Sequence, residues 1–202
     1  MPARPNPDGN ERLTAAVGLI LAILAVVELA TLVLGLGATL PLHVFVGLVF
    51  LPLIGVKLAS TGWRFARYYT RNASYRLKGP PQIFMRLLAP LLVVSTLLLF
   101  GSGVALGLTH GQALQVARRI HGPAAVVWLV TLGLHVLVYA LRALRSVARE
   151  LTPETRRRVE GARVRALVVL GAVAAGCVIG LATLPIQHDW LHHHSHHHDG
   201  DR

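Results

Sequence analysis

Acid is scarce in this sequence. Nine Asp and Glu stand against 20 Lys and Arg in 202 residues, and charged residues together make up only 14% of the chain. An ordinary soluble domain carries about 25%, so that class is excluded. Cysteine occurs once, at Cys177, which rules out an internal disulfide and any thiolate metal site. There is no glycine-rich dinucleotide-binding fingerprint. No polar stretch is long enough to form a catalytic domain, so any substrate chemistry is expected to belong to a partner.

Hydrocarbon is what the chain has in excess. It is 53% hydrophobic, with a mean hydropathy of +0.56. Five apolar runs, at about 13–36, 40–62, 87–108, 119–142 and 166–184, approach or exceed the roughly 20 residues that span a bilayer. They predict an all-α, integral membrane helical bundle with five transmembrane helices over residues 13–184. A polar, proline-bearing arm (1–12) precedes it and a histidine-rich tail (185–202) follows. The first run is too long for a signal-peptide core and no convincing cleavage site follows it, so it reads as an uncleaved anchor.

The net charge of +11 does not point to nucleic acid, because the basic residues sit in the links between apolar runs. The 63–86 link carries Arg64, Arg67, Arg71, Arg76, Lys78 and Arg86 and no acid. The link after the fourth run is arginine-rich as well. Basic links face the cytoplasm, which predicts an inner N-terminus, an outer 37–39 link and an outer tail. Trp63, Phe65, Tyr68, Tyr69 and Tyr75 interleave with the arginines as membrane-surface anchors do. Asn72-Ala73-Ser74 has the form of a glycosylation sequon, but a cytoplasmic loop would not be modified. Alanine, leucine and valine richness, and arginine in preference to lysine, suggest a high-GC bacterium and its inner membrane.

The fourth run carries two histidines, His121 and His135, fourteen residues apart. That spacing is about 1400° of helix, within roughly 40° of whole turns, and climbs about 21 Å. The second run holds His43, Gly55, Lys57 and Arg64; the fourth holds His121, Gly133, His135 and Arg142, each 78 residues later. Phe50 and Trp128 share the same offset, which hints at an old duplication. The two runs are parallel in the predicted topology, so equal offset means equal depth. His43 is expected to face His121 near the outer surface, with Lys57 level with His135. A lone histidine at the end of a span is ordinarily wetted by headgroups; the matched pairing and the deep His135 set these apart. Facing imidazoles from two helices are what a low-spin haem iron needs. Gly47, Gly122 and the Gly101-Ser102-Gly103 triplet supply small residues nearby.

Paired histidines fourteen apart on two parallel spans resemble the b-type membrane cytochromes. These include respiratory cytochrome b, the cytochrome b561-like proteins and the cytochrome b subunits of hydrogenases, formate dehydrogenases and molybdenum oxidoreductases. The resemblance covers residues 40–142 and rests on spacing and depth. It implies haem b and electron transfer between a quinone and a redox partner protein, as the subunit of an oxidoreductase. By position, His43 and His121 would be axial ligands of an outer haem, and His135 one ligand of an inner haem. Lys57 departs from the pattern, standing where a fourth histidine would be. It has three open roles: iron ligand, partner of a propionate or other polar group, or a side chain snorkelling inward. Arg64 or Arg67 would reach an inner propionate.

Glu28 is the only acid within a span, too far in depth from Lys57 for a simple salt bridge. It serves either a proton or quinone step near the outer haem or a hydrogen bond to Ser or Thr. His110 reads as a surface residue and Cys177 as a small packing residue. In the tail, His188, His192, His193, His194, His196, His197 and His198 are suited to weak divalent-metal binding. The competing function is haem-free metal-ion or proton transport, in which the buried histidines, Lys57 and Glu28 conduct and the tail collects metal. A scaffold without a cofactor would leave the 78-residue offset a coincidence.

Overall fold

The computed structural model describes the backbone of residues 7–70, 83–151 and 161–184, and the side chains of 9–70, 87–137 and 161–184. Five helices account for it: α1 (Pro7–Leu34), α2 (Leu36–Tyr69), α3 (Ile83–Leu108), α4 (Gly111–Leu151) and α5 (Ala162–Ala182). The described residues form no strand. All five helices are long and apolar enough to cross a membrane. Only 17–22% of each apolar window is buried within the chain, and Val33, Leu87 and Leu137 are among the large side chains left exposed. Apolar surface on that scale needs lipid against it.

The helices overrun the expected spans, each time for a local reason. Residues 7–12, expected in the arm, are helical: proline suits a first helical position, and Asn10 is tied in by its amide to the Ser60 carbonyl (2.9 Å). The expected 37–39 link shrinks to Gly35, whose φ of 92° favours glycine. The Thr39 hydroxyl donates to the carbonyls of Thr31 and Gly35 (2.8 and 2.9 Å) and closes the turn. Trp63–Tyr69, expected in a link, extends α2, with the Arg67 guanidinium 4.5 Å above the Trp63 ring. The 109–119 link is helical from Gly111, at φ 62°. His121 therefore lies well inside α4, not at its start.

Two antiparallel hairpins, α1–α2 and α3–α4, pack through α1 against α4, while α2 and α3 barely meet. On α2 the inward positions are His43, Val46, Phe50, Leu53, Lys57 and Ser60; on α4 they are Ala117, His121, Ala124, Trp128, Thr131 and His135. Both sets alternate steps of three and four, the seam of a left-handed bundle. Their apolar members and Ser60 and Thr131 are buried. α5 lies outside this bundle on α1 and α2. It docks by Ala172, Gly176 and Gly180, a small-residue stripe of the kind that lets membrane helices approach closely.

Candidate functional site

Register about the two glycine turns decides which polar groups meet. Glu28 lies seven residues before Gly35 and His43 eight after it, so the hairpin sets them level. The Glu28 carboxylate and His43 Nδ1 are 2.6 Å apart, and Thr31 Oγ1 is 3.2 Å from the same nitrogen. The buried Thr31 hydroxyl also reaches Glu28 Oε2 (3.3 Å). In the second hairpin, Ser102 lies nine residues before Gly111 and His121 ten after it. His121 Nδ1 lies 3.1 Å from Ser102 Oγ and 3.2 Å from the Leu99 carbonyl. Both Nδ1 atoms are thus engaged, and neither Nε2 has a hydrogen-bond partner among the described residues.

The structure brings His43 and His121 together across the bundle, with ring centroids 6.3 Å apart and planes at 90°. Two turns deeper, Phe50 and Trp128 meet at 5.9 Å, and Phe100 of α3 joins them. The Trp128 indole N–H donates to Thr96 Oγ1 (3.0 Å). Two turns further on, Lys57 and His135 are within electrostatic reach of each other. Lys57 is nevertheless turned toward α1, where its amine donates to the Thr14 carbonyl (2.6 Å). Thr14 donates onward to Ser60 Oγ (3.0 Å). Gly18 makes room for this: a Cβ there would stand 2.6 Å from Lys57 Nζ. Of the three roles open to Lys57, this geometry displays a polar partner.

The glycines divide differently from expectation. Gly47 faces Glu28, whose Oε1 would lie 3.5 Å from an added Cβ. Gly122 is exposed with nothing within 4 Å, so it does not help the helices approach at His121. Gly103 does, since a Cβ there would meet His121 Cε1 at 3.2 Å. Arg64 and His110 are exposed, and Cys177 packs half-buried beside Val49 and Leu53. The side chain of Arg142, the sequon and every tail histidine (His188, His192, His193, His194, His196, His197 and His198) lie outside the described residues.

Thr31, Thr14 and Gly18 were not among the expected site residues, Ser102 and Gly103 were expected only as small residues nearby, and the Glu28–His43 contact was not expected. Counting outward from Gly35 and Gly111 would have found the polar pairs, since an antiparallel hairpin places equal counts at equal depth. Among the described residues no three His, Cys, Asp or Glu side chains converge as a metal-binding group. The two histidines are thus a two-ligand arrangement that could clasp a cofactor between α2 and α4. No protein-family model matches this chain, and no curated protein or solved structure matches it either.

Proposed function

We propose that this chain is a membrane b-type cytochrome carrying electrons between the quinone pool and a redox partner protein, with one haem b held by His43 and His121. One observation carries the reading: two imidazoles lie close together on different helices, each anchored at Nδ1 and with no hydrogen-bond partner at Nε2 among the described residues. His43 and His121, with ring centroids 6.3 Å apart, are the residues that would hold the haem iron. Anchoring Nδ1 to oxygen fixes the tautomer that leaves Nε2 free for metal.

A haem supplies a one-electron carrier; the chain's own residues hold and shield it. Val46, Phe50, Leu99, Ala124 and Trp128 form one buried apolar cluster that keeps water from the inner side of the histidines. The thin α2–α3 contact is the side from which a flat cofactor would enter. An apolar cleft between α3 and α4 is lined by Leu97, Gly101, Ser102, Ala105, Ala117 and Ile120; Ser102 Oγ lies 3.1 Å from His121 Nδ1, and this reading seats the quinone there. Lys57 is committed to α1, which favours one haem over two. The inner membrane of a bacterium, with the N-terminus cytoplasmic, is the setting this reading takes.

Transport is less well supported. Polar groups cluster at Glu28–His43 and at Lys57–Thr14, but on the α1–α2 side Val17, Val49, Phe50 and Leu53 fill the space between with buried hydrocarbon. On the α3–α4 side the buried polar groups at that depth are the uncharged hydroxyls of Ser95, Thr96 and Thr131. A proton or ion path needs polar groups along its length.

Oxidised and dithionite-reduced visible spectra of purified protein, with a pyridine haemochrome count, test the reading. One low-spin haem per chain is expected, lost in His43→Ala and in His121→Ala and kept in His135→Ala. Protein that stays colourless when made with ample haem overturns it. Two haems, one sensitive to Lys57 and His135, would replace one site with two.

A further inference from the structure

The two histidines are held by unlike partners. His121 Nδ1 is offered a hydroxyl and a backbone carbonyl, both neutral, at 3.1 and 3.2 Å. His43 Nδ1 has a carboxylate at 2.6 Å, the short distance of a charge-assisted hydrogen bond. Resting on the haem reading above, we propose that Glu28 is a positioning residue that acts through His43 to hold the haem at a lower reduction potential than neutral partners on both histidines would.

The chemistry runs through the imidazole. A carboxylate draws the Nδ1 proton more strongly than a hydroxyl or an amide carbonyl does. Electron density returns to the ring and makes Nε2 the stronger donor. A stronger donor favours the oxidised, more positive iron. The charge of Glu28 acts in the same direction through a poorly screened interior. Both effects lower the potential, and they are worth more here than at a wet surface.

The site is built to keep Glu28 in place. Thr31 is buried, donates to the Glu28 backbone carbonyl (2.7 Å) and reaches its carboxylate (3.3 Å). Gly47 leaves the opposite wall open: a Cβ would touch Oε1 at 3.5 Å, and anything longer would press on the carboxylate. An acid in hydrocarbon is expensive, and the short bond to His43 offsets that cost. The matching helix of the second hairpin answers the same need with Ser102, which carries no charge.

Redox titration of the purified holoprotein, followed at the haem α band, tests this on Glu28→Gln and Ser102→Ala. Glutamine keeps the size and an acceptor oxygen but removes the charge. Its midpoint potential is expected to rise, by clearly more than Ser102→Ala moves it. The low-spin electron paramagnetic resonance of the oxidised protein should shift in the glutamine variant too, since the ligand's donor strength has changed. If Glu28→Gln does not retain haem, Glu28→Asp decides: a carboxylate withdrawn by one methylene is expected to give a smaller rise. A haem-loaded variant whose potential is unchanged or falls overturns the role of Glu28 and leaves the haem reading intact. Wild-type protein without a low-spin haem overturns both.

Discussion

At the scale of single residues, three of the polar groups inside the helices are matched by polar partners. Glu28 meets His43, Thr96 accepts from Trp128, and Lys57 donates to Thr14. Unpaired, any of these would be costly in hydrocarbon. Lys57 shows how small the margin is, since its amine occupies the space a Gly18 side chain would take. Gly18→Ala is expected to push the flexible amine aside and lose its bond to Thr14, at about 1.5–3 kcal/mol. The gain from replacing a helical glycine, roughly 0.5–1 kcal/mol, offsets part of that. Reversible denaturation in mixed micelles should therefore place Gly18→Ala about 1–2 kcal/mol below wild type.

At the scale of elements, the two hairpins show that turn position sets the chemistry. Gly35 and Gly111 are the fixed points from which paired depths are counted. Moving either turn by one residue would rotate His43 or His121 by about 100° and part it from its oxygen. The docking of α5 depends on close approach instead. A Cβ on Gly176 would lie 2.8 Å from Val49 Cα and 2.9 Å from its carbonyl oxygen. Backbone cannot step aside as a lysine amine can, so Gly176→Ala should part α5 from α2. The expected loss is about 1–3 kcal/mol, read by the same denaturation assay. A Gly176 variant as stable as wild type would mean that α5 does not bear on α2 through this stripe.

At the scale of the whole molecule, the bundle is a stack of layers on two parallel helices: His43 with His121, Phe50 with Trp128, Lys57 with His135. The proposed orientation, read from the arginine-rich links, would set the histidine layer outward. In a Cys177→Ala background, an impermeant maleimide added outside intact cells should label His110→Cys and not Ala73→Cys. Inverted vesicles should reverse the result. Labelling of Ala73→Cys from outside would turn the orientation over.

Element type, the number of spans and the alignment of His43 with His121 were legible in one dimension. Each is carried by a local regularity: runs of hydrocarbon long enough to cross a bilayer, and an equal offset along parallel helices. Helix ends were less legible, because polarity marks where a helix leaves lipid and not where its hydrogen bonding stops. α2 thus continues through Trp63–Tyr69, and α4 starts ahead of the apolar run. Of the second partners of the site, a Ser or Thr bond to Glu28 was legible and Thr31 supplies it, whereas the Glu28–His43 contact was not legible. Glu28 was weighed for a proton step or a Ser or Thr bond, and Lys57 was left among three roles. Choosing between such partners takes the turn that fixes the register and the rotation that turns one helix face to another. By itself the sequence determined a five-helix membrane chain with histidines at matched depth. Only the tertiary structure decided that one histidine meets a carboxylate and the other a hydroxyl, because that follows from which residues the glycine turns bring level.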